Sequence, residues 1–158
     1  MTDLETQILE TWRIHNRIML FMLEHIPEEA LTSTLSKRGG RDIARQLAHI
    51  HAVRAWRLES FSKKMNTPLV QFEKGESPSK EKLQQALAQS GEMMEKYLQH
   101  CLEQGGTVSN FKRGVVPMLG YYISHEAHHR GSILLTMKQS GFKLPDALKW
   151  QIWEWNKR

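Results

Sequence analysis

The sequence predicts an all-α fold, a four-helix bundle followed by a short C-terminal helix. Four stretches of about 20 residues repeat apolar side chains at steps of three and four, which is the spacing of one face of an α-helix. Prolines and glycines separate these stretches, and no stretch alternates apolar and polar residues as a half-buried strand does. A chain of 158 residues is long enough to bury a core, and we expect one domain over residues 1–158.

The first two helices are predicted over residues 4–26 and 41–63. Pro27 cannot continue the first helix, and two glycines break the chain again before the second. The connection over residues 28–38 has room for one short helical turn, and residues 36–41 form a basic linker. The apolar faces consist of Leu4, Ile8, Trp12, Met19, Met22 and Ile26 in the first helix, and of Ile43, Leu47, Ile50, Leu58 and Phe61 in the second.

A long connection over residues 64–78 precedes the third helix, and a connection of this length can cross a bundle from one end to the other. Ser77 is the predicted N-cap of the third helix and Pro78 its first residue, because proline is favoured at that position. The third helix is predicted to end near Glu103, and its core stripe holds Leu83, Leu87, Ser90, Met94, Tyr97 and Cys101.

The fourth helix is predicted to begin at Val116 or Pro117 and to end near Gln139, before Gly141. Its core stripe repeats at steps of three and four and places two histidines among apolar positions: Val115, Met118, Tyr122, His125, His129 and Ser132. A short last helix is predicted to pack against the bundle through Leu148, Ile152 and Trp155, with Trp150 and Trp153.

Composition excludes several classes of protein. The net charge is +5, but the basic residues are scattered, so a nucleic-acid partner is disfavoured. The single cysteine, Cys101, rules out an internal disulfide and a Cys-rich zinc module; we predict a buried, inert thiol and a cytoplasmic protein. No stretch approaches the 18 consecutive apolar residues expected of a membrane span, so we expect no membrane partner.

Three of the eight histidines lie within five residues. His125 and His129 are four residues apart, so on a helix they lie on one face about 40° apart and can converge on one metal ion. A third ligand could come from the second helix, where His49 and His51 flank the apolar arc; geometry alone leaves the choice between them open. His15 lies on the apolar face of the first helix, and we interpret it as a core or rim histidine.

Residues 125–129, HEAHH, also match the H-E-x-x-H pattern of zinc proteases, in which Glu126 would be the general base. Such enzymes bind their substrate along a sheet edge and need a further downstream ligand. The sequence has no strand pattern and no convincing downstream ligand, so the protease interpretation is the less favoured one.

Two segments carry a resemblance to a known family: QLAHI at residues 46–50 and HEAHHRG at residues 125–131. The turn GFKLP at residues 141–145 and the Trp-bearing tail agree with it. Over essentially its whole length the chain resembles the DinB/YfiT-like superfamily of metal-binding four-helix bundles. The resemblance implies an up-down-down-up order of helices, which fits the long crossover between helices two and three. It also implies a metal triad of His49, His125 and His129, and so favours His49 over His51.

The resemblance further implies a divalent transition metal, with nickel or zinc expected before iron or manganese. It implies a homodimer and a small-molecule substrate, and it points to a thiol-dependent S-transferase or a hydrolase that acts on a small electrophile. A low-molecular-weight thiol such as bacillithiol, mycothiol or glutathione would be the second cofactor. The alternative is a metal-binding stress-response protein without catalysis.

Overall fold

The computed structural model describes residues 3–158, and this part of the chain is helical without strands. Four long helices form a bundle, and a fifth, short helix follows them. The bounds are Asp3–His25 for α1, Ile43–Lys64 for α2, Lys80–Glu103 for α3, Val115–Gln139 for α4 and Asp146–Lys149 for α5. Single 3-10 turns lie at Glu28–Ala30, Gln151–Trp153 and Trp155–Lys157. The all-α prediction and its short turn after Pro27 are confirmed.

Local side-chain chemistry sets where the helices begin. Asp42 caps α2, since its Oδ1 accepts a hydrogen bond from the backbone N–H of Arg45 at 2.7 Å. The predicted N-cap of the third helix, Ser77, is wrong: Ser79 is the cap, and its hydroxyl accepts from the N–H of Lys82. Ser77 and Ser79 flank Pro78. Only Ser79 lies three residues before Lys82, which is the spacing at which an N-cap side chain reaches a backbone N–H.

The long helices surround two apolar clusters that a polar layer separates. The first cluster contains apolar residues from the second half of α1 and Ile26 just after it, from the start of both α2 and α3, and from the end of α4. Leu148 and Ile152 complete it. The second contains the start of α1 and α4 together with the later halves of α2 and α3. Between them, near the middle of each long helix, lie His15, Arg54, Ser90 and Glu126, all of them buried.

Two predictions about the core are wrong: that Leu4 is part of it, and that one C-terminal helix packs its tryptophans against it. Leu4 is 65% exposed because it lies in the first turn of α1, before the part of that helix that the other helices cover. The C-terminal segment is not one helix but α5 followed by two 3-10 turns, and it buries only Leu148 and Ile152 of the five predicted residues. Trp150 and Trp153 are 68% and 65% exposed. Within residues 3–158, no helix has the length and apolar character needed to cross a bilayer.

Candidate metal centre

Three imidazoles meet where α2 lies against α4. His49 comes from α2, and His125 and His129 lie one turn apart on α4. Each offers a ligand nitrogen, and these three atoms lie within 4.8 Å of one another. The Nε2 atoms of His49 and His125 are 3.4 Å apart. Two imidazole nitrogens on one tetrahedral zinc ion are about 3.3 Å apart, given bonds of about 2.0–2.1 Å. The three histidines could therefore hold one metal ion.

The electrostatic environment keeps these rings neutral, which is the form that binds a metal. Burial lowers the pKa of His49, with smaller effects from Arg41 and His125. Burial also lowers the pKa of His125, although the neighbouring Glu126 opposes the shift. For His129, burial together with the charges of the other histidines lowers the pKa to about 4. All three imidazoles are thus poor proton acceptors at pH 7.

The three histidines are only partly buried, so solvent contacts part of each residue. Tyr121, which is half exposed, stacks on His125 with ring centroids 6.2 Å apart and planes 10° apart. The Nδ1 atoms of His125 and His129 are buried and have no hydrogen-bond partner among residues 3–158. Metal-bound histidines usually donate this second N–H to a protein acceptor, so in this centre the orientation of the rings depends on packing.

The other candidate histidines lie elsewhere. His51, the second candidate on α2, is buried on another side of the helix, and its Nε2–H donates to the carbonyl oxygen of Val70 at 2.7 Å. His128 is exposed on the outer side of α4. His15 is buried and, as interpreted from the sequence, has a structural partner: its Nε2–H donates to Glu126 Oε2 at 2.8 Å.

Glu126 is the centre of a buried charge network that lies beneath the triad. Arg54 donates to both of its oxygens, from Nε to Oε1 at 2.7 Å and from Nη2 to Oε2 at 2.6 Å. Nη1 of Arg54 donates to Asn16 Oδ1 and to the Leu87 carbonyl oxygen. A single arginine therefore bonds to groups of α1, α3 and α4. Burial by itself would raise the pKa of Glu126, but the charges and hydrogen bonds of Arg54 and His15 outweigh burial and lower the pKa to about 2.

This network excludes the H-E-x-x-H interpretation. A general base must face the substrate with a free lone pair, whereas Glu126 is fully buried and accepts three hydrogen bonds from Arg54 and His15. Its side chain projects about 100° around the helix from that of His125, because neighbouring residues on an α-helix are separated by that angle. Glu126 links α4 to Arg54 of α2 and His15 of α1, and in this arrangement it has no free lone pair directed toward the triad.

Comparison with known proteins gives one match. The model of the DinB family matches residues 1–155. The chain belongs to the DinB family. No curated protein and no solved structure matches it. The family match covers all four long helices, and therefore both helices that carry the histidine triad of this DinB-family chain.

Sequence reasoning missed the pair of Arg54 and Glu126. The buried positions of α4 run through Met118, Tyr122 and Glu126 at steps of four, and Arg54 lies between the buried residues Ile50 and Leu58 of α2 at the same step. An acidic residue within one apolar stripe and a basic residue within another are the signal of a buried ion pair. The predicted core stripe of α4 instead passed through His125 and His129, which are only half buried.

Proposed function

We propose that His49, His125 and His129 bind one divalent transition metal, with nickel or zinc preferred over iron or manganese. The observation that carries the proposal is the convergence of three neutral imidazole nitrogens within 4.8 Å. Imidazole suits nickel, zinc and iron, whereas manganese prefers oxygen ligands, so the donor set favours the first three metals. The resemblance to DinB-like bundles supports nickel or zinc among them. When bound, such an ion keeps a coordination position for water or a thiolate and favours the deprotonated form of either.

The function proposed for this centre is thiol-dependent S-transfer, or hydrolysis, on a small electrophilic molecule. The three histidines are only half buried, and the half-exposed ring of Tyr121, which stacks on His125, would border a ligand that approached the triad. Arg41, at the approach to α2, lies close enough to lower the pKa of all three histidines. Its charge would attract an anionic thiol such as bacillithiol, mycothiol or glutathione.

A metal-binding stress-response protein without catalysis is the alternative. It is favoured by the engagement of Glu126, the carboxylate next to the triad in the sequence, in the buried network. The hydrolase branch would then depend on the metal alone for activation of water, because the network holds that carboxylate away from the solvent side of the triad.

The same proposal includes the finer features of the fold and assembly. An up-down-down-up order is supported by the two apolar clusters, since α1 and α4 run between them in one direction and α2 and α3 in the other. Exposed Trp150, Trp153 and Leu135 are candidates for a homodimer surface. The cytoplasmic location stays a prediction.

Elemental analysis of protein purified without chelator tests the metal site. The wild type should hold about one equivalent of a transition metal, as one three-histidine site requires, and His49→Ala and His125→Ala should lose it. The matched controls are His51→Ala and His128→Ala, which remove a histidine from the same two helices and should keep the metal. Loss of metal in a control, or its retention in both triad variants, contradicts the assignment.

Turnover then separates the two functions. Each of the three thiols is offered with 1-chloro-2,4-dinitrobenzene, and an ester substrate is offered without a thiol. The enzyme proposal expects turnover that a chelator and His49→Ala both abolish. A protein that holds its metal but turns over none of these mixtures supports the alternative, whereas activity that survives both treatments contradicts a metal-dependent reaction.

A further inference from the structure

A cavity of about 350 Å³ lies away from the triad, between the later halves of α2 and α3 and the loop that joins α3 to α4. Its wall is largely neutral and partly aromatic, and it includes Trp56, Phe61, Tyr97 and Cys101. A volume of this size lies within the range of about 300–1,000 Å³ that is typical of small-molecule sites. The wall contains none of the three triad histidines.

Arg57 lines this cavity as a half-buried cation without an anion. Its Nη1 donates to the carbonyl oxygen of Ser109 at 2.9 Å, and its Nε has no hydrogen-bond partner in the described part of the chain. Within residues 3–158, no carboxylate forms an ion pair with it. The acidic residue of the wall, Glu59, is bonded instead to Lys63 at 2.7 Å.

The groups around the Arg57 guanidinium are neutral. Its Cζ lies 5.5 Å from the ring centroid of Trp56 and 5.9 Å from that of Phe111. Tyr97 and Tyr122 also lie beside it: burial raises the pKa of both phenols, and Arg57 acts in the opposite direction. Neutral oxygens thus accept hydrogen bonds from this cation, but no anion among residues 3–158 neutralises its charge. A planar carboxylate matches the guanidinium fork and would supply the missing charge.

We propose that this cavity binds a small carboxylate with an aromatic or apolar body, the carboxylate on Arg57 and the body against Trp56 and Phe61. Two further basic residues, Lys64 and His100, border the same cavity and add to its preference for an anion. Trp56 is 71% exposed at its edge, which is where an apolar ligand would cover it. The site stands whether or not the triad binds a metal.

Isothermal titration calorimetry with sodium benzoate tests the site, with benzamide as the uncharged probe of the same shape. Benzoate should bind saturably to the wild type, and at least about tenfold more weakly to Arg57→Gln, because a charge-assisted hydrogen bond is lost. Benzamide should bind the wild type at least about tenfold more weakly than benzoate does, because it carries no charge. Arg113→Gln, which removes an exposed arginine outside the cavity, should bind like the wild type.

Binding at a metal is a separate outcome, and His125→Ala distinguishes it. Benzoate that bound a metal on the triad would lose its affinity in this variant, whereas benzoate in the Arg57 cavity would keep it. Equal benzoate affinity in wild type and folded Arg57→Gln overturns the proposal. Inorganic phosphate that binds as tightly as benzoate overturns the choice of a carboxylate.

Cys101 provides a second readout that needs no variant. Its thiol lies in the cavity wall but is only 2% exposed, so iodoacetamide reaches it only when the wall opens. A ligand that binds the closed cavity should therefore slow the alkylation, by about tenfold at a benzoate concentration ten times the Kd. Benzamide at the same concentration should protect much less. If Arg57→Gln fails to fold, this measurement decides the matter: an unchanged alkylation rate at saturating benzoate overturns the proposal.

Discussion

Glu126→Gln removes the charge at the centre of the buried network while it keeps the shape of the side chain. Arg54 would then remain fully buried without an anion, and the new amide would direct two N–H groups toward existing donors. Removal of one partner of a buried ion pair typically costs about 3–5 kcal/mol. For a chain of this size, about 3 kcal/mol corresponds to a fall in Tm of roughly 6–12 °C.

Urea unfolding followed by circular dichroism measures this loss. The matched control is Glu10→Gln on α1, since Glu10 also contacts two arginines, Arg13 and Arg17, but on the surface. Exposed pairs contribute about 0–1 kcal/mol, so the control should unfold close to the wild type. A double-mutant cycle with Arg54→Met should give a coupling energy of about 1–3 kcal/mol.

A change of less than about 1 kcal/mol in Glu126→Gln would refute the reasoning, because exposed pairs already reach that value. It would mean that the carboxylate is protonated or hydrated and does not compensate Arg54. The result would also reopen the interpretation of Glu126 as a catalytic base, in which the variant loses activity without losing stability.

Three further predictions concern stability. Because folding lowers the pKa of Glu126 from 4.5 to about 2, the carboxylate should contribute about 3 kcal/mol above pH 4.5 and lose it progressively as the pH falls toward 2, measured by urea unfolding across that range. Gly91→Ala should destabilise the protein by about 1–3 kcal/mol, since the new Cβ would overlap the Asn16 side chain. The control Gly120→Ala, on open helix surface, should stabilise it by about 0.5–1 kcal/mol. Equal effects in the two denaturation curves would contradict the close approach of α1 to α3. His51→Ala should cost about 1–3 kcal/mol, because the buried His51 ring and its partly buried hydrogen bond to the Val70 carbonyl are both lost. A melting curve that matches the wild type would contradict this expectation.

The helices could be predicted from the sequence to within a few residues because each buries a regular apolar stripe. The start of α3 could not, because Ser77 and Ser79 are both acceptable caps and only the packed chain selects one. The C-terminal segment misled the prediction for a different reason. On one continuous helix Leu148, Ile152 and Trp155 would share a face, but the segment consists of α5 and two 3-10 turns, so Trp155 stays 37% exposed while Leu148 and Ile152 are buried.

The candidate site could be predicted only in part. The spacing of His125 and His129 is local, so a helix fixes their relation before any tertiary contact forms. The pairing with His49 depends on how α2 faces α4, and from spacing alone His51 was equally suitable. The resemblance to DinB-like bundles favoured His49, and the structure gives a physical reason: the side chain of His51 is directed toward Val70, where it donates a partly buried hydrogen bond to the carbonyl oxygen.

The buried network explains why α2 faces α4 in this way. Arg54 follows His49 by five residues on α2, and Glu126 lies between His125 and His129 in the sequence of α4, so the ion pair and the triad occupy the same two helices at nearly the same level of α4. The two-point bond between Arg54 and Glu126 fixes both the rotation of α4 and its position along α2. A slip of one helical residue would leave the guanidinium unpaired within the core and would turn His125 and His129 away from His49. The register of α2 against α4 that pairs Arg54 with Glu126 is therefore also the register in which the three imidazoles converge.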